Sequence, residues 1–126
     1  MIYGIGVDLV QVERIAKALE RHGDRFLTRI FTPQEINCCQ GKVRAASMLA
    51  MRFAAKEAFS KALGVGLRRD GIRWREVEVV PDLRGKPLLN LSGRAAQLCQ
   101  EAGITHMHLT LTDEASLALA VVVLEK

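Results

Sequence analysis

With 126 residues, of which 49% are hydrophobic and 25% charged, the chain is long enough for one domain with a buried core and unlike a disordered segment. Its net charge of +4 favours an anionic partner: a nucleic acid, a phosphorylated small molecule or an acidic protein. No apolar run reaches the roughly 20 residues that cross a bilayer, and the N-terminus does not resemble a signal peptide. Cys38, Cys39 and Cys99 lack disulfide or metal-finger spacing, so we expect reduced thiols in a cytoplasmic protein.

The first predicted element is a buried strand over residues 2–9, in which apolar residues alternate with Gly4 and Gly6. Glycine inside a strand often marks a place where another part of the molecule approaches the backbone closely. Asp8 is the single charge in this run, and two interpretations of it stay open. It caps the following helix, where acids are favoured, or it has a functional role.

Three helices are expected next. An apolar stripe predicts an amphipathic helix over residues 11–22 that Gly23 ends, and a short helical segment follows over residues 25–30. A third helix should start at Thr32, because Thr32 supplies a cap, a proline takes the first helical position and Glu35 completes a capping box.

The longest predicted helix begins between Lys42 and Ser47 and ends at Gly64, which can adopt the left-handed conformation of a helix C-terminus. At ~100° per residue its apolar residues fall on one arc, and the small alanines among them would let the helix lie close against a sheet. The opposite half includes Phe53 but is otherwise polar, with Arg52, Lys56, Glu57, Ser60 and Lys61.

Glu57 and Lys61 in this polar half are an i, i+4 pair, so their side chains point to the same place. A surface salt bridge is one explanation of the pair. A functional explanation needs a second carboxylate elsewhere that shares a metal with Glu57, together with a reason for the surrounding positive charge.

The last half of the chain predicts mainly strands. A loop from Gly64 to Gly71, with Arg68 and Arg69, could touch phosphates through backbone N–H groups, although it matches no known fingerprint. Beyond this loop we predict a hairpin of strands 74–80 and 88–91, a helix that Ser92 caps and Gly103 ends, and further strands at 106–112 and 117–124.

This element order predicts an α+β fold in which residues 1–126 form one domain, with an antiparallel sheet packed against the long central helix. The last strand is the most apolar and is expected to lie in the centre of the sheet. The strand before it alternates strictly, so one of its faces carries His106, His108, Thr110 and Thr112.

Two motifs together are more specific than composition. Gly6 and Asp8 end the first strand, and some fifty residues later Phe53 precedes the pair Lys56-Glu57, with Lys61 four residues beyond. In this pairing the chain strongly resembles the 4′-phosphopantetheinyl transferase superfamily, in particular its short bacterial holo-acyl-carrier-protein synthases. The resemblance covers nearly the whole chain and extends to Gly85-Lys86-Pro87 and His108-Leu109-Thr110.

The resemblance implies an enzyme that moves the 4′-phosphopantetheine group from coenzyme A to a serine of apo acyl carrier protein, releasing adenosine 3′,5′-bisphosphate and supporting fatty acid biosynthesis. It also implies Mg²⁺ on Asp8 and Glu57, and Mg²⁺ does prefer hard oxygen ligands that include one or two carboxylates. Lys61 would stabilise charge on the phosphates. The base that takes the serine proton stays open among a metal-bound water, Asp8 and Glu57.

Three further expectations follow from the resemblance. Family members are homotrimers with sites between subunits, so Arg44 and His108 are expected to serve a neighbour's site. The acidic carrier protein would dock on Arg14, Arg21 and Arg25. The family often has a histidine where this chain has Asp113. Coenzyme A itself would contact Arg44, Arg52, Lys56, Lys61, Gly64, Lys86, Pro87, His108 and Thr110.

Two rival classes make different predictions. A small basic nucleic-acid-binding module would explain the charge, but it would not explain paired carboxylates, which repel phosphate without a metal; the resemblance itself implies neither a nucleic-acid nor a membrane partner. A purely structural subunit would use the long helix only for packing, and substitution of Glu57 by glutamine would then leave all activity intact.

Overall fold

The computed structural model describes residues 1–67 and 70–126. The first half of the chain contains β1 (Ile2–Gln11), α1 (Val12–His22), α2 (Asp24–Ile30), α3 (Pro33–Cys39) and α4 (Ala45–Leu63). The second half contains a 3₁₀ turn (Trp74–Glu76), β2 (Val77–Pro81), β3 (Pro87–Leu91), α5 (Gly93–Ala102), β4 (His106–Glu114) and β5 (Leu117–Glu125). Arg68 and Arg69 of the predicted phosphate-binding loop lie outside the described residues.

The strands form two antiparallel sheets within the described ranges. The main sheet has the order β1-β5-β4, and β2 pairs with β3 in a separate hairpin. Helix α4 packs across the inner face of the main sheet. These observations confirm the α+β prediction and the central position of the last strand, whereas the separation of the hairpin from the main sheet was not predicted.

The prediction that β1 is buried was wrong. Ile5, Val7 and Leu9 are 62%, 50% and 58% exposed, because strand alternation turns them to the outer face of the sheet. The inner face instead carries Gly6 and Val10, both buried. The glycines of the strand therefore face α4, whereas Ile5, Val7 and Leu9 face solvent.

The glycines of β1 let α4 lie directly against the strand. A Cβ atom added to Gly6 would lie 1.8 Å from the carbonyl oxygen of Ala58, and one added to Gly4 would lie 1.9 Å from that of Ala62. Any side chain at these positions would push the helix away, which confirms that the glycines mark a close approach. The alanines of α4 supply the other half of this contact, as predicted.

Helix α4 is buried on two sides, and part of its polar half lies inside the protein. Arg52, Lys56 and Ser60 are all buried. The main sheet covers one side of the helix, while α3, the 3₁₀ turn and β2 contact it on another. As predicted, the helix ends at Gly64, which has the left-handed φ of 84°.

Two local predictions need correction. The predicted strand at 74–80 starts only at Val77, because the backbone N–H of Glu76 bonds to the carbonyl of Arg73 and closes a 3₁₀ turn. Ser92 makes no side-chain cap for α5; the Glu76 carboxylate accepts a hydrogen bond from the backbone N–H of Ala95 instead. In contrast, the capping box of Thr32 and Glu35 is present as predicted.

The cysteines carry no disulfide in the described parts of the chain. Cys39 and Cys99 are buried, and burial raises the pKa of each thiol. Cys38 is half-buried, and its Sγ accepts a hydrogen bond from the Arg52 guanidinium at 3.4 Å. Among the helices of residues 1–67 and 70–126, none is both long and apolar enough to cross a bilayer.

Candidate active site

Asp8, Glu57 and Lys61 come together where β1 contacts α4. The ammonium of Lys61 donates to Asp8 Oδ1 at 3.1 Å and to the backbone carbonyl of Val7 at 3.0 Å. The Asp8 side chain is 16% exposed and that of Lys61 is 54% exposed, so the cluster is open to solvent on the lysine side. Asp8 and Lys61 are 53 residues apart along the chain, and the contact at the glycines of β1 brings their side chains together.

Glu57 lies in the same cluster, one turn before Lys61. Burial raises the pKa of Glu57 above its ordinary value of 4.5, and repulsion by Asp8 raises it further, while Lys61 and Arg14 partly offset this. Asp8 does not cap α1, because β1 continues to Gln11 and that residue occupies the cap position. The interpretation of Asp8 as a helix cap was therefore wrong, and its functional role stays a prediction.

The two carboxylates suit a divalent cation that prefers oxygen. They repel each other across the strand–helix contact, so a bound cation would relieve a cost that is present without it. Nowhere in residues 1–67 and 70–126 do three or more metal-ligating side chains meet, which disfavours a Zn²⁺-type cage. Mg²⁺ needs only one or two carboxylates and keeps waters or phosphate oxygens in its other positions, so the donor set fits Mg²⁺.

A cleft of about 370 Å³ lies along α4 beyond this cluster. It is lined by Arg52 from the helix, Pro81 and Pro87 from the hairpin, and Thr112 and Asp113 from β4. The cleft therefore lies between α4, the separate hairpin and the main sheet. Two of the residues expected to bind coenzyme A, Arg52 and Pro87, line it.

Arg52 is the most informative side chain in this cleft. It is 7% exposed, and its guanidinium donates only to the Met48 carbonyl and the Cys38 sulfur among the described residues. Its Nε–H has no partner there. A buried cation with unused donors is costly unless an anion binds it, so Arg52 is suited to a phosphate group.

Arg44 and His108 lie far apart within one chain. Arg44 forms an ion pair with Asp113 near one end of β4, where Ser47 also donates to the same carboxylate. His108 hydrogen-bonds Glu125 on the outer sheet face, and this bond lowers the pKa of Glu125. Residues 108 and 113 are separated by about 17 Å along an antiparallel strand. Because side chains alternate along a strand, His108 and Asp113 also point to opposite faces of the sheet.

A family model described as the 4′-phosphopantetheinyl transferase superfamily matches residues 4–122. The chain belongs to this superfamily. It is 51% identical over 126 residues to a holo-[acyl-carrier-protein] synthase of Geobacter sp. (strain M21), with each chain covered in full. The crystal structure of the synthase from Neisseria meningitidis has a TM-score of 0.89, 40% identity and full coverage of both chains. That from Helicobacter pylori, in complex with coenzyme A, has a TM-score of 0.85 and 33% identity over 96% of this chain and 99% of its own.

Lys56 is one residue whose position in the structure differs from the prediction. Lys56 was expected among the coenzyme-binding residues, but its side chain is 0% exposed. Its ammonium donates to Glu35 Oε1 and to the backbone carbonyls of Trp74 and Val77, so its hydrogen-bonding capacity is used inside the protein. Burial lowers the pKa of Lys56, partly offset by Glu35. Lys56 therefore does not bind coenzyme A from this position.

The sequence did not reveal this pairing, because the capping box already accounted for Glu35 as a local helix signal. Nothing in the spacing of 21 residues marks Glu35 as the partner of Lys56. A carboxylate that both caps a helix and balances a buried cation can be recognised only after the helices are packed.

The three arginines expected to dock a carrier protein are exposed on α1 and α2. Arg14 and Arg21 lie on one face of α1, seven residues apart. Arg14 lies over the Phe53 ring at 5.5 Å, and its charge reaches Glu57 of the cluster. Arg25 lines a neighbouring cleft of about 470 Å³ together with Arg29, which the sequence analysis did not single out, and Trp74.

The remaining assigned residues lie on accessible parts of the chain. Gly64 forms the turn after α4, and Lys86 is exposed in the hairpin turn next to Pro87. Thr110 is exposed on the outer face of the sheet together with His108. Lys86 thus lies near the cleft, whereas Thr110 and His108 face away from it.

Proposed function

We propose that this chain transfers the 4′-phosphopantetheine group from coenzyme A to a serine hydroxyl of an apo acyl carrier protein and releases adenosine 3′,5′-bisphosphate. The observation that carries this proposal is the cluster of Asp8, Glu57 and Lys61 at the glycine contact. The superfamily membership and the names of the full-length relatives support it. The product would be a carrier protein ready for fatty acid biosynthesis.

Lys61 and Glu57 perform the two tasks that direct transfer requires. Phosphoryl transfer at a diphosphate depends mainly on positioning and charge neutralisation. The exposed ammonium of Lys61 is held by Asp8 and Val7 at a fixed place, where it can neutralise charge on the diphosphate. Glu57, which lies in the same cluster, is the carboxylate that would accept the serine proton, because Asp8 is paired with Lys61.

Asp8 and Glu57 would hold Mg²⁺, which would neutralise and orient the diphosphate when bound. The chain itself supplies the geometry, since the backbone contact at Gly6 fixes the strand relative to the helix. Arg14, whose charge reaches Glu57, would bring the docked carrier protein next to the site.

The cleft between α4, the hairpin and β4 would receive the nucleotide end of coenzyme A. Arg52 offers unused hydrogen-bond donors to a phosphate. Arg44 pairs with Asp113, which lines the cleft. Pro87 also lines the cleft, and Lys86 is next to it in the chain. Gly64 would leave space for the chain of the substrate after α4. This assignment uses the positively charged residues that composition alone did not explain.

A homotrimer would bring His108 and Thr110 to a neighbour's cleft. The outer face of the sheet presents Ile5, Val7 and Leu9 to solvent, and apolar stripes of this kind commonly mark protein–protein contacts. His108 and Thr110 extend from the same face, so a subunit that covers the apolar residues would meet these polar side chains as well.

Mass spectrometry of an apo carrier protein incubated with this protein, coenzyme A and Mg²⁺ tests the proposal. We expect a mass increase of one phosphopantetheine group, no increase with a chelator present, and none with Asp8→Ala or Glu57→Ala protein. Tight, salt-dependent nucleic-acid binding without modification of the carrier protein would contradict the proposal and support the basic binding module instead.

A further inference from the structure

Lys56 and Glu35 form a buried ion pair that the transfer reaction does not use. Both side chains are 0% exposed, and the ammonium lies 2.9 Å from Glu35 Oε1. Each member makes further hydrogen bonds to the backbone, so neither charge is left without partners. A pair this well satisfied is a fixed point in the structure, although its net contribution to stability can be close to zero.

The pair joins α3 and α4 to the segment that follows the active-site helix. Lys56 donates to the carbonyls of Trp74, at 3.1 Å, and Val77, at 2.7 Å, which are the two ends of the 3₁₀ turn. Glu35 Oε2 accepts from the backbone N–H of Val79 at 3.0 Å. The turn and the start of β2 are thus tied to the helix residue that precedes Glu57.

This segment forms parts of two substrate-facing surfaces. Val79 and Pro81 of β2 line the cleft that contains Arg52. Trp74 stacks on Phe53 at 5.0 Å between ring centroids and lines the cleft that contains Arg25. The hairpin pairs with itself rather than with the main sheet, so the main-sheet hydrogen bonds do not fix its position.

We propose that Lys56, balanced by Glu35, is a positioning residue that fixes the 3₁₀ turn and the β2–β3 hairpin against α4 and so sets the width of the coenzyme cleft. The inference rests on the transfer activity proposed above. Lys56 does not touch the reacting groups, which lie on the side of α4 that faces β1. Its loss should therefore weaken coenzyme binding far more than it slows the transfer step.

The double variant Glu35→Gln with Lys56→Met is the test protein. Removing one member would leave a buried charge without its partner and risk unfolding, whereas replacing both with neutral residues of similar volume is generally tolerated. Trp74 is the single tryptophan of the chain, so its fluorescence reports the position of the turn without any label. Leu49→Ala, a buried change in the same helix away from the turn, is the matched control for lost stability.

We expect the double variant to unfold cooperatively and to show a changed Trp74 emission with easier quenching by acrylamide. Its KM for coenzyme A should rise about tenfold while kcat stays within about threefold of the unchanged protein. Leu49→Ala should keep the original emission and KM at temperatures where it is folded.

Each other outcome overturns the inference. Unchanged emission or unchanged KM would show that the pair does not set the cleft, and a loss confined to kcat would place Lys56 in the chemistry. Failure of the double variant to fold would make the pair a folding requirement, and a raised KM in Leu49→Ala would make the effect nonspecific. Failure of the unchanged protein to modify a carrier would refute the transfer activity, while Trp74 fluorescence and direct coenzyme A binding would still decide the role of the pair.

Discussion

At the scale of single residues, Glu57 combines a stability cost with a role in the site. Its carboxylate is partly buried beside Asp8, and both effects favour the protonated form. The folded state therefore binds more protons than the unfolded state between pH 4.5 and the raised pKa of Glu57. Its contribution to stability falls as pH rises through that window.

Glu57→Gln should raise stability at neutral pH without Mg²⁺, by about 1 kcal/mol after allowing for the partial exposure of Glu57. The same change should abolish transfer and remove the increase in Tm that we expect Mg²⁺ to give the unchanged protein. Thermal unfolding at several pH values, with and without Mg²⁺, measures all of these. An unchanged stability profile, or a Tm that still responds to Mg²⁺, would rule out the assigned metal site.

Arg14→Glu tests the docking surface. We expect the KM for the carrier protein to rise at least about tenfold, because the change places a negative charge where an acidic partner approaches. The KM for coenzyme A should change less than about twofold. Arg94→Glu, an equal change of charge on α5, should leave the KM for the carrier protein and the KM for coenzyme A unchanged. Steady-state kinetics with each substrate varied in turn measures both constants. A raised KM for coenzyme A with an unchanged KM for the carrier protein would refute the docking surface.

At the scale of elements, the contact between β1 and α4 determines whether the site exists. Gly6→Ala should destabilise the fold by about 3 kcal/mol or more, since the new methyl group would overlap a main-chain carbonyl. Ala58→Gly should not rescue it, because the obstructing oxygen belongs to the backbone. Chemical denaturation measures the free energy of unfolding. A Gly6→Ala protein as stable as the unchanged protein would show that β1 and α4 can move apart at little cost in free energy.

The elements that the sequence predicted well are those with local signals. Thr32 and Glu35 marked a helix start, Gly64 marked a helix end, and the glycines of β1 marked a close approach. The burial of β1 was predicted wrongly, because it depends on tertiary contacts. The apolar residues of β1 were expected inside, but a helix packed on glycines takes the inner face and leaves them outside.

The site shows the same division. The paired motifs predicted Asp8, Glu57 and Lys61 as a group, and the structure brings them together. Lys56 stands beside Glu57 in the same motif, yet it points into the protein, since successive helix residues differ by about 100° in direction. A one-dimensional pattern does not say which neighbour of a functional residue faces the ligand.

At the scale of the whole molecule, the proposed site shared between subunits can be tested by mixing variants of Lys61 and His108. The Lys61→Ala protein should transfer poorly. The His108→Ala protein should transfer poorly when coenzyme A is limiting. When the two are mixed under conditions of subunit exchange, about a quarter of the sites would combine one intact Lys61 with one intact His108. We therefore expect the mixture to regain activity.

Asp8→Ala mixed with Lys61→Ala is the control for this experiment, because both residues belong to the same subunit's cluster and no exchange restores it. Size-exclusion chromatography should show a species of three chains. A monomer, or a mixture no more active than its components, would refute the shared site and leave His108 without the proposed role.

The three cysteines differ enough in accessibility to give the protein a natural labelling position. Cys39 and Cys99 are buried thiols, whereas Cys38 is half-buried and touches the guanidinium of Arg52. An alkylating reagent therefore meets Cys38 first, without prior mutagenesis of the other two. A small environment-sensitive dye attached there would sit next to the guanidinium assigned to a substrate phosphate, and its emission would follow occupancy of the cleft in real time.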